Sequence, residues 1–215
     1  MQKGLTELVF ILDKSGSMAG LEKDTIGGFN SMLTKQKAEA GQCRVTTVLF
    51  DNRYTLLHDR IDIRAVSPIT EKEYCVGGST ALLDAIGRSI RKIVDVQRST
   101  AEEYRAEKVI FIIITDGEEN SSREYGADAV RKLISKEKER YGWEFLFLGA
   151  NIDAVETAGR IGISADQAAE YVPDQKGTAL NYAVMCEAVS EFRSTGRLST
   201  KHLDRIRKDR ADRGK

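Results

Sequence analysis

The sequence predicts a doubly wound α/β fold, on two observations. Short apolar runs rich in β-branched residues alternate with longer amphipathic stretches, and two of those runs end directly in Asp-containing loops. Such alternation implies right-handed crossovers and a mostly parallel six-stranded sheet. The expected order is 3-2-1-4-5-6, with strand 3 an antiparallel edge and helices on both faces, a Rossmann-like three-layer sandwich.

The first buried strand is expected over Glu7 to Leu12. Arg44 to Phe50 and Tyr54 to Ile63 are separated only by Asp51-Asn52-Arg53, the length and chemistry of a hairpin. Val109 to Thr115 is expected as strand 4, Glu144 to Gly149 as strand 5, and a short strand around Glu170 to Val172 as the last. Helices are expected at Leu21 to Gln36, Ala81 to Val96, Tyr125 to Arg140, Ala154 to Arg160 and Thr178 to Arg193. Each carries apolar residues at helical spacing, so each leans one side on a sheet. Residues 1–195 are expected to form one domain. Beyond them, residues 196–215 hold eight Lys or Arg against three Asp and lose apolar periodicity. They read as a basic solvated tail or frayed helix, with contact to nucleic acid or an acidic partner as the alternative.

Composition excludes several classes. In 215 residues, 33 Lys and Arg balance 33 Asp and Glu, so net charge points to neither nucleic acid nor acidic substrate. No apolar run is long enough for a signal-peptide core or a membrane span, and a cytoplasmic protein, monomeric by itself, is expected. The three cysteines are widely separated without C-x-x-C spacing and read as reduced packed thiols. The Asn120-Ser121-Ser122 triplet matches a glycosylation pattern but has no secretion signal to give it meaning.

Asp13 and Asp116 end strands 1 and 4, between which the doubly wound order reverses and ligands bind. Around them lie Ser15 and Ser17 in Asp13-Lys14-Ser15-Gly16-Ser17, and Thr80 in Gly77-Gly78-Ser79-Thr80. Small hydroxyls suit Mg²⁺, a hard cation that demands a tight octahedron of oxygens and dehydrates reluctantly; Mn²⁺ is the alternative. The aspartates would add negative charge, directly or through oriented waters.

These three loops resemble the metal-ion-dependent adhesion site of von Willebrand factor type A domains, of the stand-alone prokaryotic type. The D-x-S-x-S element is matched by Asp13, Ser15 and Ser17, the threonine by Thr80, and the T-D-G element by Thr115, Asp116 and Gly117. The likeness spans about Glu7 to Arg193. It implies that Ser15, Ser17 and Thr80 contact the metal while the aspartates act largely through water. A coordination position then remains for the Glu or Asp carboxylate of a protein partner. In family members that switch, capture of the carboxylate is coupled to movement of the last helix, here Thr178 to Arg193. A static packing helix is the competing reading.

Lys14 is read as pointing to solvent, with steering of an acidic partner or repulsion of a second cation as the alternatives. Glu118, Glu119 and Asn120 read as a solvated loop or as a partner-contact rim. Removing either aspartate is expected to spare the fold, because loops of this kind lie at the surface. An enzyme is the main rival: an aspartate after strand 1 near Mg²⁺ is also found in phosphoryl hydrolases, but the second acid of a D-x-D pair is missing. His58 and His202 offer no Ser-His-Asp set, and no phosphate loop is present. A scaffold role in a ribonucleoprotein, chelatase-like or stress-resistance complex, using the basic tail, is the third reading.

Overall fold

The computed structural model describes residues 1–213. Its sheet has six strands: β1 (Gln2–Asp13), β2 (Gln42–Phe50), β3 (Tyr54–Asp62), β4 (Ala106–Thr115), β5 (Glu144–Gly149) and β6 (Ala168–Glu170). Their spatial order is β3-β2-β1-β4-β5-β6, parallel throughout except for β3. The α-helices are α1 (Glu22–Ala38), α2 (Leu82–Ser99), α3 (Ala127–Tyr141), α4 (Ala154–Arg160), α5 (Gln175–Thr195) and α6 (Asp204–Arg213). None of the described helices is long and apolar enough to cross a membrane.

The central strands are buried on both faces, so they read as unbroken apolar runs rather than alternating ones. Leu8, Phe10 and Leu12 of β1 and Ile110, Ile112 and Ile114 of β4 face one core with α1 and α5. Val9, Ile11, Phe111 and Ile113 face the other with α2, α3 and α4, where Phe111 stacks on Phe145 at 5.0 Å between ring centroids. Gly28 lets α1 approach α5, since a Cβ there would lie 2.2 Å from the Tyr182 ring. The register sets Leu12 beside Ile114 and Asp13 beside Phe50, so β1 and β4 end side by side at the point where the order reverses.

Two expectations are corrected. The last strand is Ala168–Glu170 rather than Glu170 to Val172: past Glu170 the chain turns, with Asp174 N donating to Val172 O at 2.8 Å. The segment after Gly196 is not a solvated tail within the described residues; it folds back as α6. Leu203 and Ile206 are buried in the α1/α5 core. Arg207 donates to the carbonyls of Ala165, Asp166 and Ala168, which ties α6 to the edge strand β6. Periodicity missed it because only two residues of an otherwise charged segment are inserted.

Asp174 joins α6 to α5. Its Oδ1 accepts from Gly177 N as the α5 N-cap, and Arg213 pairs with its Oδ2 at 2.7 Å. The Arg213 guanidinium first, and the cap bond second, hold its carboxyl below the usual range. A lowered folded-state pKa means that the stabilisation is present above the unfolded value, near 4, and is lost as pH falls through the folded one. The stability gap between wild type and Asp174→Asn in urea titrations is therefore expected to close at acidic pH. A gap that persists there would assign the loss to something other than charge.

Candidate metal centre

β1 delivers Asp13 to the carboxyl edge of the sheet, where it is 1% exposed. Its Oδ1 accepts from Ser15 N at 2.7 Å, and its Oδ2 accepts from Thr115 Oγ1 at 2.6 Å and from Asp116 N at 3.4 Å. One carboxylate thus ties the first loop to the third. The Tyr74 hydroxyl donates to the Asp13 carbonyl from the long β3–α2 connection.

Backbone hydrogen bonds fasten the second loop to the first. Gly16 N donates to Gly78 O at 3.0 Å, and Gly77 N donates to Lys14 O at 2.9 Å. Gly78 has φ +79°, a conformation that favours glycine. Asn120 clamps Thr80 from the third loop: its Oδ1 accepts from Thr80 N at 2.9 Å while its own N donates to Thr80 O at 3.1 Å.

The hydroxyls converge. Ser15 Oγ and Ser17 Oγ stand 3.0 Å apart. A Cβ on Gly117 would lie 2.7 Å from Ser17 Oγ and 3.2 Å from Thr80 Oγ1, so glycine keeps open the space between the two loops. Asp116 lies behind them, 2% exposed, its Oδ1 accepting from Asn151 Nδ2. All five predicted metal positions are therefore brought together.

Electrostatics bears on what the site holds. Burial pushes Asp116 up to about 6; the Asn151 bond opposes this and the nearby Asp13 charge adds to it. Burial raises Asp13 as well, against its hydrogen bonds from Ser15 and Thr115. Two buried carboxylates with no positive side chain bonded to them, fronted by three hydroxyls, make a set of hard oxygen donors short of a cation. The residues fit a small divalent ion. Among the described residues no group of three or more His, Cys, Asp or Glu is placed to hold a metal, so hydroxyls distinguish this donor set from a carboxylate cage.

The rim differs from expectation. Lys14 does not point freely to solvent; its Nζ pairs with Asp51, and both side chains are largely covered. Glu119 is turned inward, accepting from Leu83 N at 2.8 Å and Ser122 N at 2.7 Å, so it caps the start of α2. Asn120 positions Thr80. Glu118 alone of the predicted rim acids is exposed and uncommitted. Both aspartates are buried rather than surface features, and Asp13 is a structural post as much as a site residue. Sequence reasoning missed Asn151 and Tyr74. Asn151 carried one signal: an Asn just past a strand, at φ +54°, a conformation Asn tolerates better than most.

No family model matches the chain, and neither does any curated protein sequence. Solved structures do match. Proximal thread matrix protein 1 from the mussel byssus superposes with a TM-score of 0.58 at 15% identity, over 87% of this chain and 46% of that one. A von Willebrand factor type A protein from Catenulispora acidiphila gives 0.58 at 16% identity, over 86% and 42%. This chain has a von Willebrand factor type A fold. The manganese-loaded TRAP protein of Plasmodium vivax gives 0.53 at 22% identity, over 69% of this chain and 58% of that one. The proximal thread matrix protein is also known with zinc in its MIDAS motif. This chain spans about half the length of these structures.

Proposed function

We propose that this protein is a divalent-cation-dependent protein-interaction module that captures a Glu or Asp side chain of its partner. The observation that carries the reading is the donor set: Ser17 and Thr80 face Gly117 as neutral hydroxyls, Ser15 Oγ stands 3.0 Å from Ser17 Oγ, and Asp13 and Asp116 are buried. A cation held mainly by neutral oxygens keeps much of its field for an incoming anion. Ser15, Ser17 and Thr80 would hold the ion directly, and Asp13 and Asp116 would orient its waters. Mg²⁺ is the proposed ion and Mn²⁺ the alternative; the manganese and zinc seen in the TRAP and byssus structures support a divalent site of this kind. Glu118 is the rim residue free to meet the partner.

In this reading the protein is not an enzyme and acts within an intracellular complex of a prokaryotic cell. The first loop has Ser15 where a D-x-D pair of a phosphoryl hydrolase would place its second acid. The nucleic-acid reading of the C-terminal segment is weakened because Arg205, Arg207, Arg210 and Arg213 each pair within the fold.

The test is retention of partner on immobilised protein, with chelator and after returning Mg²⁺ or Mn²⁺. Binding is expected to be lost with chelator, regained with metal, and competed by a free acidic peptide. Chelator-insensitive retention, or metal-dependent hydrolysis of a phosphate ester that disappears in Ser15→Ala, would overturn the reading.

A further inference from the structure

Lys14 stands in the chain between Asp13 and Ser15, two residues of the metal centre. A lysine in that place works against the site, because an ammonium beside bound cation repels it and competes for the same carboxylates. Its backbone is tied to the neighbouring strand and to the second loop: Lys14 N donates to Phe50 O at 2.7 Å, and Lys14 O accepts from Gly77 N at 2.9 Å. Its side chain turns elsewhere. The Nζ pairs with Asp51, just past β2, and the two side chains are only 13% and 11% exposed.

That pairing decides where the lysine charge goes. Asp13 accepts from the Ser15 and Asp116 amides and the Thr115 hydroxyl, and Asp116 accepts from Asn151, so Lys14 is bonded to neither. Asp51 is fixed for the task from the far side. Its Oδ1 accepts from Arg53 N at 2.6 Å, which leaves Oδ2 for Lys14, and its carbonyl accepts from Ala81 N at 3.0 Å, next to Thr80. The residue is therefore anchored to the second loop while it holds the side chain of the first. A covered pair of this kind is poorly screened, and losing one partner leaves the other charge uncompensated.

We infer, on the divalent-cation reading of the site, that Asp51 is a positioning residue of the metal centre, which holds and neutralises the Lys14 ammonium and so keeps Asp13 and Asp116 available to the ion. Asp51 does not touch the metal and acts through Lys14.

Mn²⁺ binding to the full chain, measured by isothermal titration calorimetry, separates this role from a purely structural one, because the two charges act with opposite sign. Asp51→Asn keeps the oxygen that accepts from Arg53 N and is expected to weaken Mn²⁺ binding by about tenfold or more. Lys14→Met keeps the aliphatic stem and is expected to bind Mn²⁺ as tightly as wild type or up to about tenfold tighter, since the Asp51 charge is then left to attract the ion. The double variant is expected to return to within about threefold of wild type. Chemical denaturation of the metal-free proteins checks each fold, and Lys14→Met keeps the test open if Asp51→Asn does not fold. Weaker binding in Lys14→Met, unchanged binding in folded Asp51→Asn, or a double variant as weak as Asp51→Asn would overturn the role of Asp51 and leave the metal site in place. A wild type that binds no Mn²⁺ would overturn the metal reading and this role together.

Discussion

Asp116→Ala is expected to remove the metal response of this protein while leaving it folded. In wild type, Mg²⁺ or Mn²⁺ at a hundredfold excess over its dissociation constant should add about 2.7 kcal/mol, since the ion binds only the folded loops. For a chain of this size that is a rise in melting temperature of roughly 5–10 °C. The variant should show none, with affinity lower by at least about 100-fold. Asn151→Ala should lose about tenfold, because Asn151 only orients Asp116. Metal-free, Asp116→Ala should be at least as stable as wild type near neutral pH. Burial and the Asp13 charge disfavour the Asp116 carboxylate, and the exposed Asn151 amide can return to water. Asp13→Ala would be a poor probe, because it orphans the Ser15 amide, leaves the Thr115 hydroxyl only its 3.2 Å bond to Gly117 O, and should cost about 1–3 kcal/mol from the orphaned donor alone. Thermal melts with and without metal decide the matter. A full metal-induced rise in Asp116→Ala would remove that residue from the site, and a metal-free collapse would make it a structural post.

The second large effect is on stability. Gly177→Ala is expected to destabilise the fold by about 2–4 kcal/mol, a drop of roughly 5–15 °C in melting temperature. A Cβ at Gly177 would stand 2.0 Å from Val172 O and 3.0 Å from Val172 C, both backbone atoms that no rotamer change can move aside. The first turn of α5 is pressed against the β6–α5 loop, and Asp174 caps it from the same loop. Gly27→Ala is the matched control: it lies on the exposed side of α1, nothing stands within 4 Å of its Cβ, and helix propensity predicts a gain of about 0.5–1 kcal/mol. Chemical denaturation of the two variants reads both signs. A loss under about 1 kcal/mol for Gly177→Ala would show that the loop yields freely.

Much of this was legible in the chain. The run Glu144 to Gly149 is a strand at its predicted limits, and so is the helix Ala154 to Arg160, because each is bounded by unambiguous signals: Gly142 and Gly149 around the strand, and the Asp153 cap before the helix. The metal residues were legible because hard-cation chemistry needs particular small oxygen donors, and those stand at fixed spacing after strands. The roles of their neighbours were not. Lys14, Glu119 and Asn120 are polar residues in loops, and a loop sequence alone does not say whether such a residue meets solvent, a helix N-terminus or another loop. Their partners Asp51, Leu83 and Thr80 lie more than 30 residues away in each case.

By itself, then, the sequence determined the α/β class and which side chains stand at the carboxyl edge of β1 and β4. These follow from local periodicity and from the handedness of the crossovers, which act over one element at a time. Tertiary structure alone decided that Asp13 is buried and triply bonded, that Asn151 and Tyr74 support the site, and that the basic C-terminal segment is docked. Those are outcomes of packing between elements distant in the chain. Desolvation and hydrogen-bond satisfaction depend on what the fold brings alongside a residue and not on its neighbours in sequence.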